Sequence, residues 1–177
     1  MRIAKIMANT TVEGPGTRTA IWTQGCSLKC KGCINVELQD PKGGKEVCIN
    51  TIVRTVKNSK SKRLTILGGE PLDQAPQIMA LVYKVKLLVP GTTIMLFTGY
   101  ETEQAKKLLG PIIWPAIDVI ITGPYDPSKP DTRKWIGSTN QVIHRNTKEA
   151  KAYVWPKKEV FELEFSADSE GAYVNGL

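Results

Sequence analysis

Short apolar segments that suit buried strands alternate along the chain with segments whose apolar residues recur at helical spacing. Strands are predicted over residues 18–23, 64–67, 93–97 and 119–121. Helices are predicted from Asn50 through Val56, from Ile78 through Val89 and from Glu101 through Leu109. Strands that alternate with helices are typical of an α/β fold, in which parallel strands are joined by helical crossovers.

Each predicted strand is followed at once by residues of unusual composition. These are Cys26, Gly-Gly-Glu at residues 68–70, Thr-Gly-Tyr at residues 98–100 and Gly-Pro-Tyr at residues 123–125. Because the loops that follow parallel strands meet at one edge of a sheet, where ligands bind, we expect the four segments to converge on one site.

The chain beyond the fourth strand has a different pattern. Prolines predict a loop over residues 125–139, and residues 161–166 and 172–174 predict two further strands. No linker divides the 177 residues, so we expect a single domain. Its core would cover about residues 12–145, and a C-terminal β extension would cover about residues 150–177.

Composition and charge exclude several classes of protein. No apolar run approaches the ~20 residues that span a bilayer, and residues 1–11 lack a secretory pattern. We therefore expect a cytoplasmic protein that does not contact a membrane. The net charge of +7 comes from scattered basic residues, not from a basic run interleaved with aromatic residues. Nucleic acid is therefore not the expected partner.

Three of the four cysteines, Cys26, Cys30 and Cys33, lie within eight residues. This crowding indicates metal binding in a chain expected to be cytoplasmic. A structural zinc site needs four ligands, and the other candidates, Cys48 and His144, are distant in sequence. An iron–sulfur cluster held by three thiolates leaves one iron open to another ligand. The pattern favours the cluster, with zinc as the weaker alternative.

The second candidate motif is Leu-Gly-Gly-Glu-Pro at residues 67–71. Paired glycines at a strand end allow a ligand to approach the backbone closely. Their carbonyls and the Glu70 carboxylate suit the ammonium group of an amino acid. Taken alone, the motif is equally typical of a turn before a helix.

These motifs together resemble the radical S-adenosylmethionine superfamily. Within it, the chain is most similar to the small activating enzymes of glycyl radical enzymes, in particular those of anaerobic ribonucleotide reductase. The resemblance spans roughly residues 1–141. It rests on EGPGTR at residues 13–18, QGCSLKCKGCIN at residues 24–35, GGEP at residues 68–71, TGY at residues 98–100 and GSTNQ at residues 137–141. We therefore expect a partial, open βα barrel of parallel strands with a small C-terminal β extension.

The resemblance also implies a site and a reaction. Cys26, Cys30 and Cys33 would hold one 4Fe–4S cluster, and no catalytic residue is expected beyond the cluster and S-adenosylmethionine. One electron from a flavodoxin- or ferredoxin-type donor would cleave S-adenosylmethionine to methionine and a 5′-deoxyadenosyl radical. This radical would take hydrogen from a glycine of a partner glycyl radical enzyme, which makes the protein an anaerobic oxidoreductase. The implied S-adenosylmethionine contacts are Gly32, Cys33, Ile34, Gly68, Gly69, Glu70, Pro71, Thr98 and Tyr100.

Departures from the family pattern leave other functions open. Ile34 stands where the reductase activators usually carry tyrosine, and Trp-Ile-Gly-Ser at residues 135–138 lacks the arginine of the related motif. One alternative is a radical enzyme that acts on a small molecule or peptide, as deazapurine synthases do. A second is a non-enzymatic zinc or electron-transfer module.

Four further residues receive simpler interpretations. His144 and Trp22 are interpreted as packing residues, and Cys48 as a half-buried small residue. Arg18 has two possible roles, since it either faces the substrate or fixes the Gly-Pro-Gly loop before it.

Overall fold

The computed structural model describes residues 1–157, 164–168 and 171–175. Its main element is a seven-stranded sheet in the order β3-β1-β2-β4-β5-β6-β7. The strands are β1 (Arg2–Thr10), β2 (Arg18–Thr23), β3 (Lys45–Glu46), β4 (Arg63–Gly68), β5 (Thr93–Phe97), β6 (Val119–Thr122) and β7 (Val142–Arg145).

The centre of the sheet consists of the four strands that the sequence predicts. β2, β4, β5 and β6 are parallel neighbours, and Ile21, Ile66, Leu96 and Ile120 form one row of register partners across them. All four side chains in this row are fully buried. Because the row is apolar and continuous, it fixes the register of the parallel strands.

Helices α1 (Ile49–Asn58), α2 (Ala75–Leu88) and α3 (Thr102–Ile113) follow β3, β4 and β5 along the chain, and a short α4 (Lys148–Ala152) follows β7. One predicted boundary is wrong. α1 is capped by Cys48, whose carbonyl accepts from the Thr51 N–H, and not by Asn50. The predicted end of the third helix at Leu109 agrees with a kink there: Gly110 has a left-handed φ of 68° and interrupts the helix, and α3 includes one further turn, to Ile113, beyond the kink. No helix in the described ranges has the length and apolarity that crossing a membrane requires.

The α/β class is confirmed, but a barrel is not. The sheet is open and mixed, since β1 pairs antiparallel with β2 and with β3, and β7 pairs antiparallel with β6. The apolar pattern does not predict β1 because two register shifts and the left-handed Asn9 interrupt its alternation.

The predicted C-terminal extension forms a separate antiparallel hairpin of β8 (Glu164–Asp168) and β9 (Gly171–Asn175). The start of the first predicted strand, residues 161–163, and turn residues 169–170 lie outside the described residues. The hydroxyl of Thr10, at the end of β1, donates to the carboxylate of Glu164. This bond joins the hairpin to the main sheet.

The two faces of the central sheet differ in their cover. On β5, Ile94 and Leu96 belong to the large core, which also contains buried residues of α1, α2 and α3. Met95 and Phe97 alternate to the opposite face. We call these the helix face and the cavity face, because the second is only partly filled by small apolar clusters.

Candidate functional site

A cavity of about 840 Å³ opens on the cavity face at the carboxyl ends of the parallel strands. All four segments that follow the predicted strands contribute to its wall, which confirms the expected convergence. The contributing residues of these segments are Cys26, Gly68, Gly69, Glu70, Thr98, Gly99, Gly123 and Tyr125. Trp22, Leu67 and Phe97 add apolar surface from the strands themselves.

The cysteine loop brings Cys26, Cys30 and Cys33 to this cavity, all as free thiols. The Cys33 N–H donates to the Cys30 carbonyl at 3.3 Å, and Lys29 and Gly32 turn the chain with left-handed φ values of 47° and 73°. Before the loop, the Gly25 N–H donates to the Leu38 carbonyl at 2.8 Å. The loop is therefore closed on itself and anchored at its base.

The donor chemistry of this loop suits an iron–sulfur cluster. Cysteine thiolates are the usual ligands of 4Fe–4S clusters and also bind zinc, so the three thiols provide ligands of the required kind. Within the described ranges, no three His, Cys, Asp or Glu side chains are arranged to hold one ion. Burial raises the pKa of the Cys26 thiol, so a metal must displace its proton on binding.

Neither Cys48 nor His144 lines the cavity. Cys48 is exposed at the start of α1, so its predicted half-burial is wrong. The His144 Nε2 lies 3.0 Å from the Thr122 hydroxyl and 3.1 Å from the Thr102 hydroxyl. Its ring packs edge-on against Trp114 at 5.1 Å, which agrees with a packing role.

Glu70 is the buried carboxyl group of the site, with 1% of its surface exposed. Its Oε1 accepts from the Leu72 N–H at 2.8 Å and from the Thr98 hydroxyl at 2.7 Å, and its Oε2 accepts from the Gly99 N–H at 2.8 Å. Burial raises the pKa of Glu70 to about 7, although the three hydrogen bonds oppose the shift. The carboxyl group joins the loops after β4 and β5 and titrates near neutral pH.

The paired glycines before Glu70 are required by the chain itself. A Cβ atom on Gly69 would lie 2.2 Å from the Gly25 carbonyl oxygen, and one on Gly68 would lie 2.4 Å from the Thr23 nitrogen. The Glu70 N–H donates to the same Gly25 carbonyl at 2.8 Å. The end of β4 can therefore pack against the residues that lead into the cysteine loop only without side chains.

Asp73 links three loops, although no sequence motif marks it. Its Oδ2 accepts from the Ser27 N–H at 2.7 Å, and its Oδ1 accepts from the Ser27 hydroxyl at 2.8 Å and the Tyr100 hydroxyl at 2.7 Å. These bonds tie the cysteine loop to the segments that follow β4 and β5. Sequence spacing does not reveal such a link, because Ser27 and Asp73 are 46 residues apart.

Arg18 anchors the Gly-Pro-Gly loop, which follows the cavity-lining residues Val12 and Glu13. It is 4% exposed, and its guanidinium donates to the Pro15 carbonyl at 3.0 Å, the Leu64 carbonyl at 3.0 Å and the Thr65 hydroxyl at 2.6 Å. Burial, together with nearby Arg63, lowers the pKa of Arg18 to about 10. Of its two possible roles, the structure shows the second: Arg18 fixes the Gly-Pro-Gly loop.

Comparison with known proteins gives the chain its relatives. The family model of the 4Fe-4S single cluster domain matches residues 12–144. A protein of enterobacteria phage T4 is 37% identical over 141 residues, which cover 77% of this chain and 88% of the relative. A Vibrio cholerae protein is 35% identical over 147 residues, with 77% and 92% covered. An Escherichia coli K12 protein is 29% identical over 141 residues, with 75% and 91% covered.

All three relatives are named anaerobic ribonucleoside-triphosphate reductase-activating protein. This chain belongs to that family. The resemblance noted in the sequence is thus confirmed. In this member of the activating-protein family, the 4Fe-4S single cluster domain includes the three cysteines and strands β2 to β7, and the C-terminal hairpin follows it.

The cofactor contacts implied for an activating protein fall into two groups. Cys33, Ile34, Gly68, Gly69, Glu70 and Thr98 line the cavity, whereas Gly32, Pro71 and Tyr100 are not among its lining residues. A Cβ atom on Gly32 would lie 3.4 Å from Pro127, Pro71 is buried, and the Tyr100 hydroxyl donates to Asp73. All nine contacts stay predictions.

Gln141 closes the site of this activating protein from the side of the long loop after β6. Its Oε1 accepts from the Gly137 N–H at 2.9 Å and the Ser138 N–H at 3.2 Å, and its Nε2 donates to the Gly123 carbonyl at 3.1 Å. The GSTNQ stretch of the sequence marks this residue. Its bonds become evident only in the structure, because they join residues from the two ends of the loop.

Proposed function

We propose that this protein is an activase of an anaerobic ribonucleoside-triphosphate reductase, which it equips with a glycyl radical by radical S-adenosylmethionine chemistry. The observation that carries the proposal is the placement of Cys26, Cys30 and Cys33 on one cavity wall, beside the loop of Glu70. Family membership supports the choice of partner, since the relatives bear the name of reductase-activating proteins.

Cys26, Cys30 and Cys33 would hold the cluster, and three thiolates leave one iron free for S-adenosylmethionine. When bound, the cluster supplies an electron to S-adenosylmethionine, and the pair supplies the radical that removes hydrogen from the partner's glycine. The protein itself orients the reactants and limits access of water to them. The apolar side chains of Trp22, Leu67 and Phe97 at the cavity suit the second task.

Glu70 and its neighbours would receive the amino-acid end of S-adenosylmethionine. Gly68 and Gly69 line the cavity next to the Glu70 carboxyl group, which has a pKa of about 7 in the folded protein. A bound ammonium group favours the charged carboxylate and lowers this pKa. Binding would therefore release a proton from Glu70 and strengthen its attraction for the ligand.

The electron would come from a flavodoxin- or ferredoxin-type protein. The net charge of +7 favours acidic partners, and this attraction weakens with salt. An iron without a protein ligand is easily oxidised, so the proposal requires a reducing, oxygen-poor compartment.

The test uses anaerobically purified protein loaded with iron and sulfide. Incubation with reductant, S-adenosylmethionine and the anaerobic reductase should produce a glycyl radical signal on the reductase in electron paramagnetic resonance. 5′-Deoxyadenosine and methionine should form in equal amounts. The Cys33→Ala variant should produce none of these, and Cys48→Ala should match the unmodified protein.

Two outcomes would contradict the activase proposal in different ways. Cleavage of S-adenosylmethionine without a radical on the reductase favours an enzyme acting on a small molecule or peptide. Protein that binds one zinc ion, in place of about four iron atoms, favours the non-enzymatic module.

A further inference from the structure

The segment that follows α4 contacts the wall of the cavity, although it lies beyond residue 144, where the family model ends. The Lys134 N–H donates to the Pro156 carbonyl at 2.9 Å, and the Trp155 indole N–H donates to the Lys134 carbonyl at 2.6 Å. Arg133 and Lys157 form an isolated antiparallel bridge beside these bonds. We call residues 153–157 the strap.

Aromatic contacts reinforce the attachment of the strap. The ring of Trp155 packs edge-on against that of Trp135, with centroids 5.7 Å apart and planes at 86°. The Arg145 guanidinium lies 5.7 Å from the Trp155 ring, and Tyr153 packs against the same ring at 6.0 Å. Trp155 therefore packs against Arg145 of β7 and Tyr153 of the strap, and it also packs against Trp135.

Trp135 is the residue that needs such support. Its φ is 62°, in the left-handed region that bulky residues rarely adopt and keep only when their surroundings enforce it. Its indole N–H donates to the Val12 carbonyl at 2.8 Å. Trp135, Ile136 and Gly137 all line the cavity, so the backbone angle of Trp135 determines how this wall is presented.

We infer that Trp155 is a positioning residue for the cavity: it holds Trp135 in its left-handed conformation and so keeps residues 135–137 against the ligand space. The cavity wall of residues 135–137 thus lies inside the matched family domain, and the strap that supports it lies outside that domain. The part of the inference that concerns the ligand, S-adenosylmethionine, rests on the proposed function. The positioning of the wall does not.

Amide hydrogen exchange of residues 133–141 in the cluster-loaded protein tests the positioning directly. Trp155→Ala removes the edge-on ring and the indole donor, and exchange in this stretch should become about tenfold faster. Trp155→Phe keeps a ring but loses the donor, and exchange should rise about threefold. This milder variant keeps the test informative if Trp155→Ala fails to fold.

Trp114→Ala is the matched control, because it also removes an indole that packs edge-on against another ring, that of His144 on β7, but lies away from the cavity. Its exchange in residues 133–141 should equal that of the unmodified protein. In parallel, the dissociation constant of S-adenosylmethionine should rise about tenfold in Trp155→Ala and stay unchanged in Trp114→Ala.

Unchanged exchange in both Trp155 variants, or an equal rise in Trp114→Ala, overturns the inference. Faster exchange with an unchanged dissociation constant overturns the part of the inference that concerns the ligand, because the wall would then not serve its binding. If the unmodified protein binds no S-adenosylmethionine, the proposed function fails, and exchange alone decides whether Trp155 positions the wall.

Discussion

The two faces of the sheet are built in different ways. On the helix face, Ile21, Ile66, Leu96 and Ile120 form an apolar row packed against helices, with no polar atom to satisfy. On the cavity face, the site is shaped by hydrogen bonds of Glu70, Asp73, Arg18 and Gln141 to neighbouring loops. The helix face therefore supplies stability, and the cavity face supplies a shaped and reactive space.

The largest expected effect on the cavity face is the loss of the cluster. Replacing Cys26, Cys30 or Cys33 by alanine should abolish cluster assembly, because a cube with only two thiolates is poorly held. Iron content and the visible absorption of anaerobic protein measure the effect. Cys48→Ala should retain the full iron content, and equal loss in that variant would mean that the ligands are wrongly assigned.

Two adjacent residues of β5 lie on opposite faces and test whether the helix face contributes more to stability. Leu96 is fully buried on the helix face, so Leu96→Ala should lower the free energy of unfolding by about 2–5 kcal/mol. Phe97 is half-buried beside the cavity, and Phe97→Ala should cost less than Leu96→Ala because an open space already adjoins it. Denaturant unfolding of both variants is the measurement. A larger loss from Phe97→Ala would contradict the division between the faces.

Glu70 should make stability depend on pH. Because the pKa is about 7 in the folded protein and near 4.5 in the unfolded chain, the folded state binds the proton more tightly. The stabilising contribution is complete below pH 4.5 and is lost as the pH rises towards 7. As the pH rises between these limits, the free energy of unfolding of cluster-free protein should fall by about 1–3 kcal/mol relative to that of Glu70→Gln.

Glu70→Gln also changes hydrogen bonds, but that change is the same at every pH. The quantity to compare is therefore how the difference in free energy of unfolding between the two proteins changes from pH 4.5 to pH 7. Denaturant unfolding measures it. A flat difference would show that Glu70 stays ionised in the folded protein.

The smallest expected effect comes from the link between the loops. Tyr100→Phe removes the hydroxyl that donates to Asp73 at the surface. It should lower the free energy of unfolding by at most about 0.5–1.5 kcal/mol. Amide exchange in residues 26–33 should rise slightly, since Ser27 keeps both of its own bonds to Asp73. If exchange becomes faster only in residues distant from this loop, the result argues against the link.

Much of the central fold was predictable. The strand predictions match β2 and β5 residue for residue and locate β4 and β6 to within one residue at each end. The central residues of these strands are buried, and their β-branched and apolar side chains are typical of strands whatever their neighbours are. β7 was not predicted, since its identity as a strand depends on antiparallel pairing with β6, and β1 was not predicted because register shifts interrupt its alternation.

The candidate site was predictable to the extent that its parts are local. The cysteine loop, the Gly-Gly-Glu segment and the Thr-Gly-Tyr segment each follow a strand and are recognisable alone. The role of Asp73 was not accessible, because its partners lie far away along the chain. For Arg18 the sequence left two roles open, and the bonds to Leu64 and Thr65 that bury it come from a distant strand.

By itself, the sequence determined the parallel strands, the positions of the cysteines and the edge of the sheet at which they gather. These follow from short-range periodicity and from the rule that loops after parallel strands share an edge. Only the tertiary structure decided that the sheet is mixed, that Glu70 is buried among three donors and that Trp155 packs against Trp135. Such features arise from contacts between distant segments, whose energies no local pattern contains.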